Sequence, residues 1–573
     1  NEAFLRAQDK NKIAELVRRR WKRLEPAARK RQAELKVNFL RYRGEQFVQV
    51  HPKDPNRVWH PPSSQSQRTP PNLNKIRRSV HRYASQVTAD EPIIEAVPAT
   101  HDEEDRDAAE AATHGLRGEW QRMNLQREFQ RAAQLAGIFR SAFWFFEWDE
   151  TDGGKTKAQK YILDEETNRR ELRYVNSSGE PVESEDDAAD IWKGNLAVEV
   201  MTPMNVRWTG GRYAHDADEL MVAKLVPLRE LLATYPEARN KRLESLLSSV
   251  PTEAEKWLQD IRGEEFSSGT TDQDEYNLEA MAGSLGPGHA LLDEPVFLLH
   301  YFRPETKTYP GGFHSLTAGD VLLYRKRLRY GTLPIAHFKL IDEVNDPTGL
   351  GVVDLVKDPQ ELLDFVRGQI LRHLQMMRRR WFLPQQSNVS VRDLMNGTRS
   401  VIEYNAKAGR PEAETQPEIP QSIFQFLEQS EEDYDDILGI HALMKGRHVP
   451  GVQSGRHAEA LQQGDETLLG LTREQLKTGL EQAGRVILKA IKKEWTTDRR
   501  VRYQGEDRAF IDRAFSRTDF GDTGDVRLKE STLLMLTKSQ RLETIFAFGE
   551  MGALTPEMIR RLAPLADTAG LQL

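Results

Sequence analysis

Lys445-Gly446-Arg447-His448-Val449-Pro450-Gly451-Val452-Gln453-Ser454-Gly455-Arg456 is followed by about forty residues without proline, and the fold turns on how this junction is read. Three glycines and a proline deny residues 445–456 both helix and central strand, so they read as a mobile loop. Residues 457–495 read as a long helix. Leu476, Leu480, Ala483, Ile487 and Ile491 recur at three- and four-residue steps, with Glu474, Lys477, Glu481 and Arg485 between them. That pattern is one apolar stripe on a charged rod, which reaches roughly 60 Å if unbroken. Gly464, Gly470, Gly479 and Gly484 argue for a break, since each costs about 1 kcal/mol against alanine. The same small residues let a neighbouring backbone come close.

Upstream of the loop lies a second helical system. Asp358 offers a capping side chain, Pro359 suits the first helical position and Glu361 completes a capping box, so a helix is predicted over 358–383. Leu362, Val366, Ile370, Leu374 and Met377 mark one face of it, running down to Arg378-Arg379-Arg380 and the stop at Pro384. Residues 384–419 form a small α/β insert in which Ser390 and Asp393 open a short helix, Asn396-Gly397 turns and Val401–Tyr404 is a strand. A return helix over 420–444 carries Ile423, Phe426, Leu427, Tyr434, Ile437 and Leu438, with Glu431, Glu432, Asp433, Asp435 and Asp436 crowded on it. The order is therefore two antiparallel helices with a tip, a loop, and a lever.

Residues 1–357 are more mixed. Residues 1–43 are basic (Arg18, Arg19, Arg20, Lys22, Arg23, Arg29, Lys30, Arg31) and suit two helices broken near Pro26. Such a run is a solvated face or a contact for nucleic acid or capsid. Tyr42-Arg43-Gly44-Glu45-Gln46-Phe47 ends the second helix with a glycine stop. Residues 51–71 read as loop, Asn72–Thr88 as helix and Pro92–Pro98 as strand. A helix from His101 has Asp102, Glu103, Glu104 and Asp105 in its first turn, where the dipole explains them better than a metal cluster does. Ala142–Trp148 is strand-like, with Tyr161–Asp164 and Glu171–Val175 as its expected partners. Leu196–Met201, Val206–Trp208 and Leu220–Val226 continue the sheet, and Pro227–Tyr235 is a short helix. Residues 263–292 are an acidic, Gly/Ser-rich linker. Val296–Phe302, Leu322–Arg325 and Ile335–Leu340 resume strands, residues 496–530 hold a β segment and 531–573 a small helical end. The fold class is α+β, mostly helical.

Composition narrows the function. The chain has 573 residues, 29% of them charged, and a mean hydropathy of -0.65, polar for its length, which suits an extended or ring-forming subunit and equally a hydrophilic multidomain protein. Zero cysteines exclude disulfides, zinc-thiolate sites and thiol nucleophiles. A formal charge of -7 argues against gripping nucleic acid over the whole surface. No apolar run is long enough to span a membrane, and no export signal opens the sequence. Gly154-Lys155-Thr156 mimics the end of a phosphate-binding loop, but Asp149 stands where a glycine is required and a strand follows instead of a helix. The acids at Glu183, Glu185, Asp186 and Asp187 and at 431–436 read as solvated faces. His441, His448 and His457 lack metal-ligand spacing. No catalytic set, metal site or cofactor is nominated, so a packaging ATPase or nuclease is disfavoured.

Several segments, in order, resemble the portal proteins (head-to-tail connectors) of tailed bacteriophages. Residues 42–47 are similar to that family's Tyr-x-Gly-x-Gln-aromatic element. Met201-Thr202-Pro203-Met204-Asn205 and Tyr235-Pro236 resemble parts of its wing, and Gly439-Ile440 with Pro450–Gly455 resembles its tunnel-loop region. Gly524–Leu528 through Ser539-Gln540-Arg541 to Gly552–Thr555 resembles the passage from wing to crown. The linker at 263–292 has no counterpart in the family, and the short end after Gly552 implies a small crown.

The resemblance implies a ring, usually of twelve copies, at one capsid vertex, assembled in the bacterial cytoplasm. Residues 1–357 would be wing, 358–383 and 420–444 stem, 384–419 clip, 445–456 tunnel loop, 457–495 the long wing helix, 496–530 a wing β segment and 531–573 crown. Lys445, Arg447, His448, Val449, Pro450, Val452, Gln453 and Arg456 would face double-stranded DNA. Arg392, Asp393, Asn396, Arg399 and Glu403 in the clip would dock the terminase large subunit and later adaptor or tail proteins. Major capsid and scaffolding proteins are the other implied partners, with no membrane. Another structural ring of the virion, an adaptor or head-completion protein, is the alternative.

Overall fold

The computed structural model describes residues 10–59, 73–235, 295–376, 419–438 and 455–528, short stretches inside these ranges excepted, and a few positions between 377 and 418. It is mixed helix and sheet. Helix α1 (Lys10–Arg43) precedes a hairpin, β1 (Gln49–His51) and β2 (Asp54–Trp59), then α2 (Lys75–Val87), β3 (Ile94–Pro98), α3 (Glu103–Arg122) and α4 (Leu125–Phe139). Strands β4 (Ser141–Asp149), β5 (Lys155–Lys157), β6 (Gln159–Leu163), β7 (Arg170–Val175), β8 (Pro181–Val182), β9 (Asp190–Trp192), β10 (Asn195–Met201), β11 (Val206–Thr209) and β12 (Glu219–Pro227) follow. After α5 (Leu228–Thr234) come β13 (Pro295–Arg303), β14 (Phe313–Ala318), β15 (Val321–Lys326) and β16 (Ile335–Lys339). The rest is α6 (Val352–Met376), β17 (Trp381–Phe382), β18 (Glu412–Ala413), α7 (Gln421–Ile437), α8 (Gly455–Glu494), β19 (Arg499–Gln504), β20 (Phe510–Phe515) and β21 (Thr523–Leu528).

Strand β4 is the centre of the fold. It pairs antiparallel with β10 on one side and β16 on the other. Every residue from Ala142 to Phe146 is buried, and successive side chains point to opposite faces. Trp144 and Phe146 join the main core with Phe129 and Phe338, while Phe143 and Phe145 join a second core with Val206, Leu220 and Phe302. The second core lies against a five-stranded antiparallel sheet ordered β11-β12-β13-β14-β15. The expected partners of β4 are therefore corrected: β6 pairs with β7 and β7 with β8, and Val206–Trp208 and Leu220–Val226 belong to the five-stranded sheet. Short-range spacing suggested a hairpin, whereas burial on both faces selects longer-range apolar partners.

Three helix expectations change as well. Helix α1 runs through Pro26 without a break, because Ile13, Val17 and Trp21 before it and Leu35, Val37 and Leu40 after it are all buried. Helix α6 begins six residues before the predicted cap, so Asp358 lies inside it and Pro359 is an interior proline. Helix α8 is unbroken over 40 residues, and Arg456 sits in its first turn rather than in a loop. Glycine there follows from packing. A Cβ on Gly479 would lie 2.7 Å from the Phe338 ring and 2.8 Å from the His337 carbonyl oxygen on β16. On Gly484 it would lie 2.7 Å from Val526 on β21 and 2.9 Å from Ile94 on β3. Packing across the sheet exceeds the helical penalty of about 1 kcal/mol per glycine. The 51–71 loop is also shortened, since Asp54–Trp59 forms β2.

The long-helix stripe is as predicted, with Leu476, Leu480, Ala483, Ile487 and Ile491 all buried. Strand β3 pairs with β21, closing the carboxyl-terminal β segment onto the amino-terminal half. A strand does follow Gly154, with Gly153 and Gly154 at positive φ in the turn before it. Residues 263–292, Glu183, Glu185, Asp186, Asp187 and residues 531–573 lie outside the described residues.

Candidate functional site

Helix α6 and helix α7 run antiparallel. Arg367 on α6 pairs with Glu431 on α7, and one turn nearer the start of α6, Asp364 lies within electrostatic range of Tyr434, one turn further along α7. Their bases are fixed to the body by buried polar contacts. Gln360, fully buried, donates to the Leu73 carbonyl at 3.0 Å and to Asp364 at 2.9 Å, and accepts from the Lys75 backbone N–H at 3.2 Å. Burial raises the Asp364 pKa above the usual carboxylate value, opposed by the Gln360 hydrogen bond and by one from the Leu73 backbone N–H. Arg41, also buried, donates to the Val48 and Lys357 carbonyls at 3.1 and 3.2 Å and to Glu361 at 3.1 Å. Arg140 grips Asp354 with two donors, at 2.9 and 3.0 Å, and Asp346 with a third. On α7, the Tyr434 hydroxyl lies 3.1 Å from Ser79, and Lys75 stands over its ring. Burial would raise Glu431, but Lys75 and Arg367 pull its pKa down.

Beyond these anchors burial stops. Val352, Val353, Val356 and Leu363 are fully buried, whereas no described residue of α6 after Val366 is buried. On α7 only Ser430 and Tyr434 are buried. The last turns of the pair, about 15 Å of α6, therefore carry no buried side chain among the described residues, and the two-stranded piece β17–β18 lies between α6 and α7 in the chain.

Seven large apolar side chains of the pair are bare. Leu362, Phe365, Leu371, Leu374, Phe424, Phe426 and Ile437 are between 41% and 55% exposed. These seven are more than half of the large apolar side chains exposed among the described residues, so the exposure is concentrated here. Leu362 and Phe365 stand on the side of α6 turned away from Gln360 and Asp364. With Phe47, Asp358 and Glu361 they line an open groove of about 390 Å³. Phe47 reaches it because the 42–47 element makes a tight turn: Gly44 and Phe47 both have positive φ, and Gln46 donates to the Arg41 carbonyl at 3.1 Å. A phenylalanine in that backbone region is uncommon and marks a constrained turn.

Several expected site residues lie outside the described residues: Lys445, Arg447, His448, Val449, Pro450, Val452 and Gln453 of the loop, and Arg392, Asp393, Asn396, Arg399 and Glu403 of the clip. The predicted face of α6 needs correction, since Leu362 and Leu374 are exposed while Leu363 is buried. Gln360, Asp364 and Arg41, the anchors of the pair, escaped sequence reading because polar residues on helices ordinarily face water. Among the described residues no group of three or more acidic or histidine side chains is placed to hold a metal ion. No helix among them is long and apolar enough to cross a membrane.

Comparison with known proteins adds one match. Residues 303–524 match the family model described as Phage P22-like portal protein, bearing out the portal resemblance across β14–β20 and the two helical systems. No curated protein matches the chain.

Proposed function

We propose that this chain, portal-like over residues 303–524, is the subunit of a ring-shaped DNA conduit at one vertex of a phage capsid. The observation that carries this reading is the set of seven apolar side chains left bare on α6 and α7, inside the matched segment. Identical copies arranged head to tail cover such faces without a second kind of protein, and closure of the rotation makes a ring. Permanent assemblies commonly bury more than about 2,000 Å² per interface and cover apolar faces of this kind. Twelve copies is the family's usual number.

In this reading α6 and α7 are the stem, residues 384–419 are the clip, and 445–454 are the tunnel loop joined to the lever α8, whose first turn holds Gly455 and Arg456. The wing comprises residues 1–357 and 457–530, and residues 531–573 belong to the crown. Lys445, Arg447 and His448 in the loop and Arg456 in the first turn of α8 are the cations that meet phosphates briefly, while Val449, Pro450 and Val452 form a steric ring and Gln453 a polar neighbour. A subunit charge of -7 keeps the rest of the wall weakly attractive to DNA, since each lysine or arginine paired with a phosphate adds binding that must be broken during sliding. The clip residues Arg392, Asp393, Asn396, Arg399 and Glu403 dock the terminase large subunit and then the adaptor or tail proteins. Hydrolysis is the motor's task and the chain itself is structural, assembling in the host cytoplasm with scaffolding and major capsid proteins.

End-on negative-stain images of the purified protein test the ring directly, and a monomer at every concentration would end this reading. Deleting residues 447–454 is expected to leave rings intact while damaging DNA packaging or retention. Charge reversal at Arg392 or Arg399 is expected to weaken motor or adaptor docking without altering the subunit fold, as measured by binding to the purified partners.

A further inference from the structure

Helix α2 divides cleanly. Ile76, Ser79, Val80, Tyr83, Ala84 and Val87 are buried, and the opposite face presents Arg77, Arg78 and His81 to solvent. Leu73, just before the helix, is 58% exposed. Arg77 lies over the Tyr42 ring, and neither it nor Arg78 meets a carboxylate among the described residues. Helix α7 divides in the same way with the opposite sign. Ser430 and Tyr434 face the body, the opposite face carries exposed Glu428 and Glu432, and Asp433 with the bare Phe426 and Ile437 lies along the flank between them. None of those three acids has a basic partner among the described residues, whereas Glu431, at the inner edge, is paired with both Lys75 and Arg367.

We infer that the outer face of α7 in one subunit docks on the Leu73–Arg78 face of α2 in the next copy. This rests on the ring reading and names the surfaces that close it. A head-to-tail ring joins two different faces of the same chain, so the faces must complement each other rather than themselves. Here one face is positive with an exposed leucine, and the other is negative with an exposed phenylalanine and isoleucine. From Phe426 to Ile437 the acidic face spans about 16 Å. Bringing the two together covers apolar side chains at the centre and pairs charges at the rim, the usual anatomy of a specific interface. The signs also set direction, since two α7 faces or two α2 faces placed together repel.

A charge-swap experiment on the full chain tests this, read by native mass spectrometry across protein concentration and salt. R77E/R78E and E432R/D433R are each expected to raise the concentration needed for ring formation roughly tenfold or more, because like charges then face each other. The two reversals combined in one chain are expected to restore assembly towards the wild-type concentration, a rescue that general damage to the fold does not produce. The neutral pair R77Q/R78Q is expected to fall between, and circular dichroism checks that each variant is folded.

Wild-type assembly by either reversal, or a combined variant no better than the worse single one, overturns the pairing and leaves the ring standing. Intact R77E/R78E rings that have lost affinity for double-stranded DNA also overturn it, by assigning the basic face to the nucleic acid. A wild-type chain that never forms rings removes the ring reading and the pairing together.

Discussion

Along α8, Leu476, Leu480, Ala483, Ile487 and Ile491 are buried beneath β16, β21 and α3, whereas on α6 and α7 seven apolar side chains of similar size stand about half exposed. Both helical systems show apolar residues at helical spacing, and both lie in one chain of mean hydropathy -0.65. They differ in what the rest of the chain brings to them. Two strands cross α8 so closely that glycine is needed at 479 and 484. The pair is tied down by Gln360, Arg41 and Tyr434 at one end and left uncovered along its outer side and at the other end. An apolar stripe covered by its own chain stabilises a subunit, and one left uncovered stabilises an assembly.

Matched truncations give the sharpest separation of the two. Leu480→Ala is expected to destabilise the isolated subunit by about 3 kcal/mol, as large-to-small core changes do, while Leu374→Ala shifts it by less than about 0.5 kcal/mol and weakens assembly instead. Urea melts of dilute subunit, set beside sedimentation of concentrated protein, measure both quantities. Equal losses of subunit stability would erase the contrast.

Glycine substitutions within α8 contrast a packed position with an open one. Gly479→Ala is expected to cost about 2 kcal/mol by overpacking against Phe338 and the His337 carbonyl. Gly470→Ala, where a Cβ would meet nothing within 4 Å, should stabilise the subunit by about 0.5 kcal/mol through the unfolded state. Opposite shifts in the urea midpoint check this pair, and a stabilising Gly479→Ala would mean that β16 does not press on the helix.

Acid should act on the body before it acts on the pair. Burial pushes His300 down to about 4, so the folded state stays neutral where the unfolded chain takes up a proton, and stability declines as pH falls from about 6.5 towards 4. Burial would raise Glu147, yet Lys224 at 3.0 Å, His300 and the Tyr235 hydroxyl hold it at about 2. Its contribution is present above about 4.5 and is lost as pH falls towards 2. Denaturation midpoints across this range should slope down in wild type. In His300→Gln the upper part of the slope should become shallower without vanishing, because burial lowers His215, His314 and His337 as well, and an unchanged profile would leave the slope to those three.

Much of this architecture was legible from residues alone. The stripe on α8, the paired helices on either side of an insert, and the strand at Ala142–Trp148 all follow from periodicity, which records how each side chain is directed relative to its own backbone. Prolines 26 and 359 and the glycines of α8 misled, because a local rule states a cost of one to a few kcal/mol and burial of neighbouring side chains outweighs it. The partners of β4 were missed for a related reason: pairing is chosen by apolar surfaces distant in sequence.

Amino-acid order by itself determined which segments are amphipathic and where the chain turns, since both depend on spacing and on backbone freedom within a few residues. Only the tertiary structure decided which apolar faces are covered. Coverage depends on what long-range packing brings alongside each helix, and that is how α8 became a core element while α6 and α7 kept an uncovered surface.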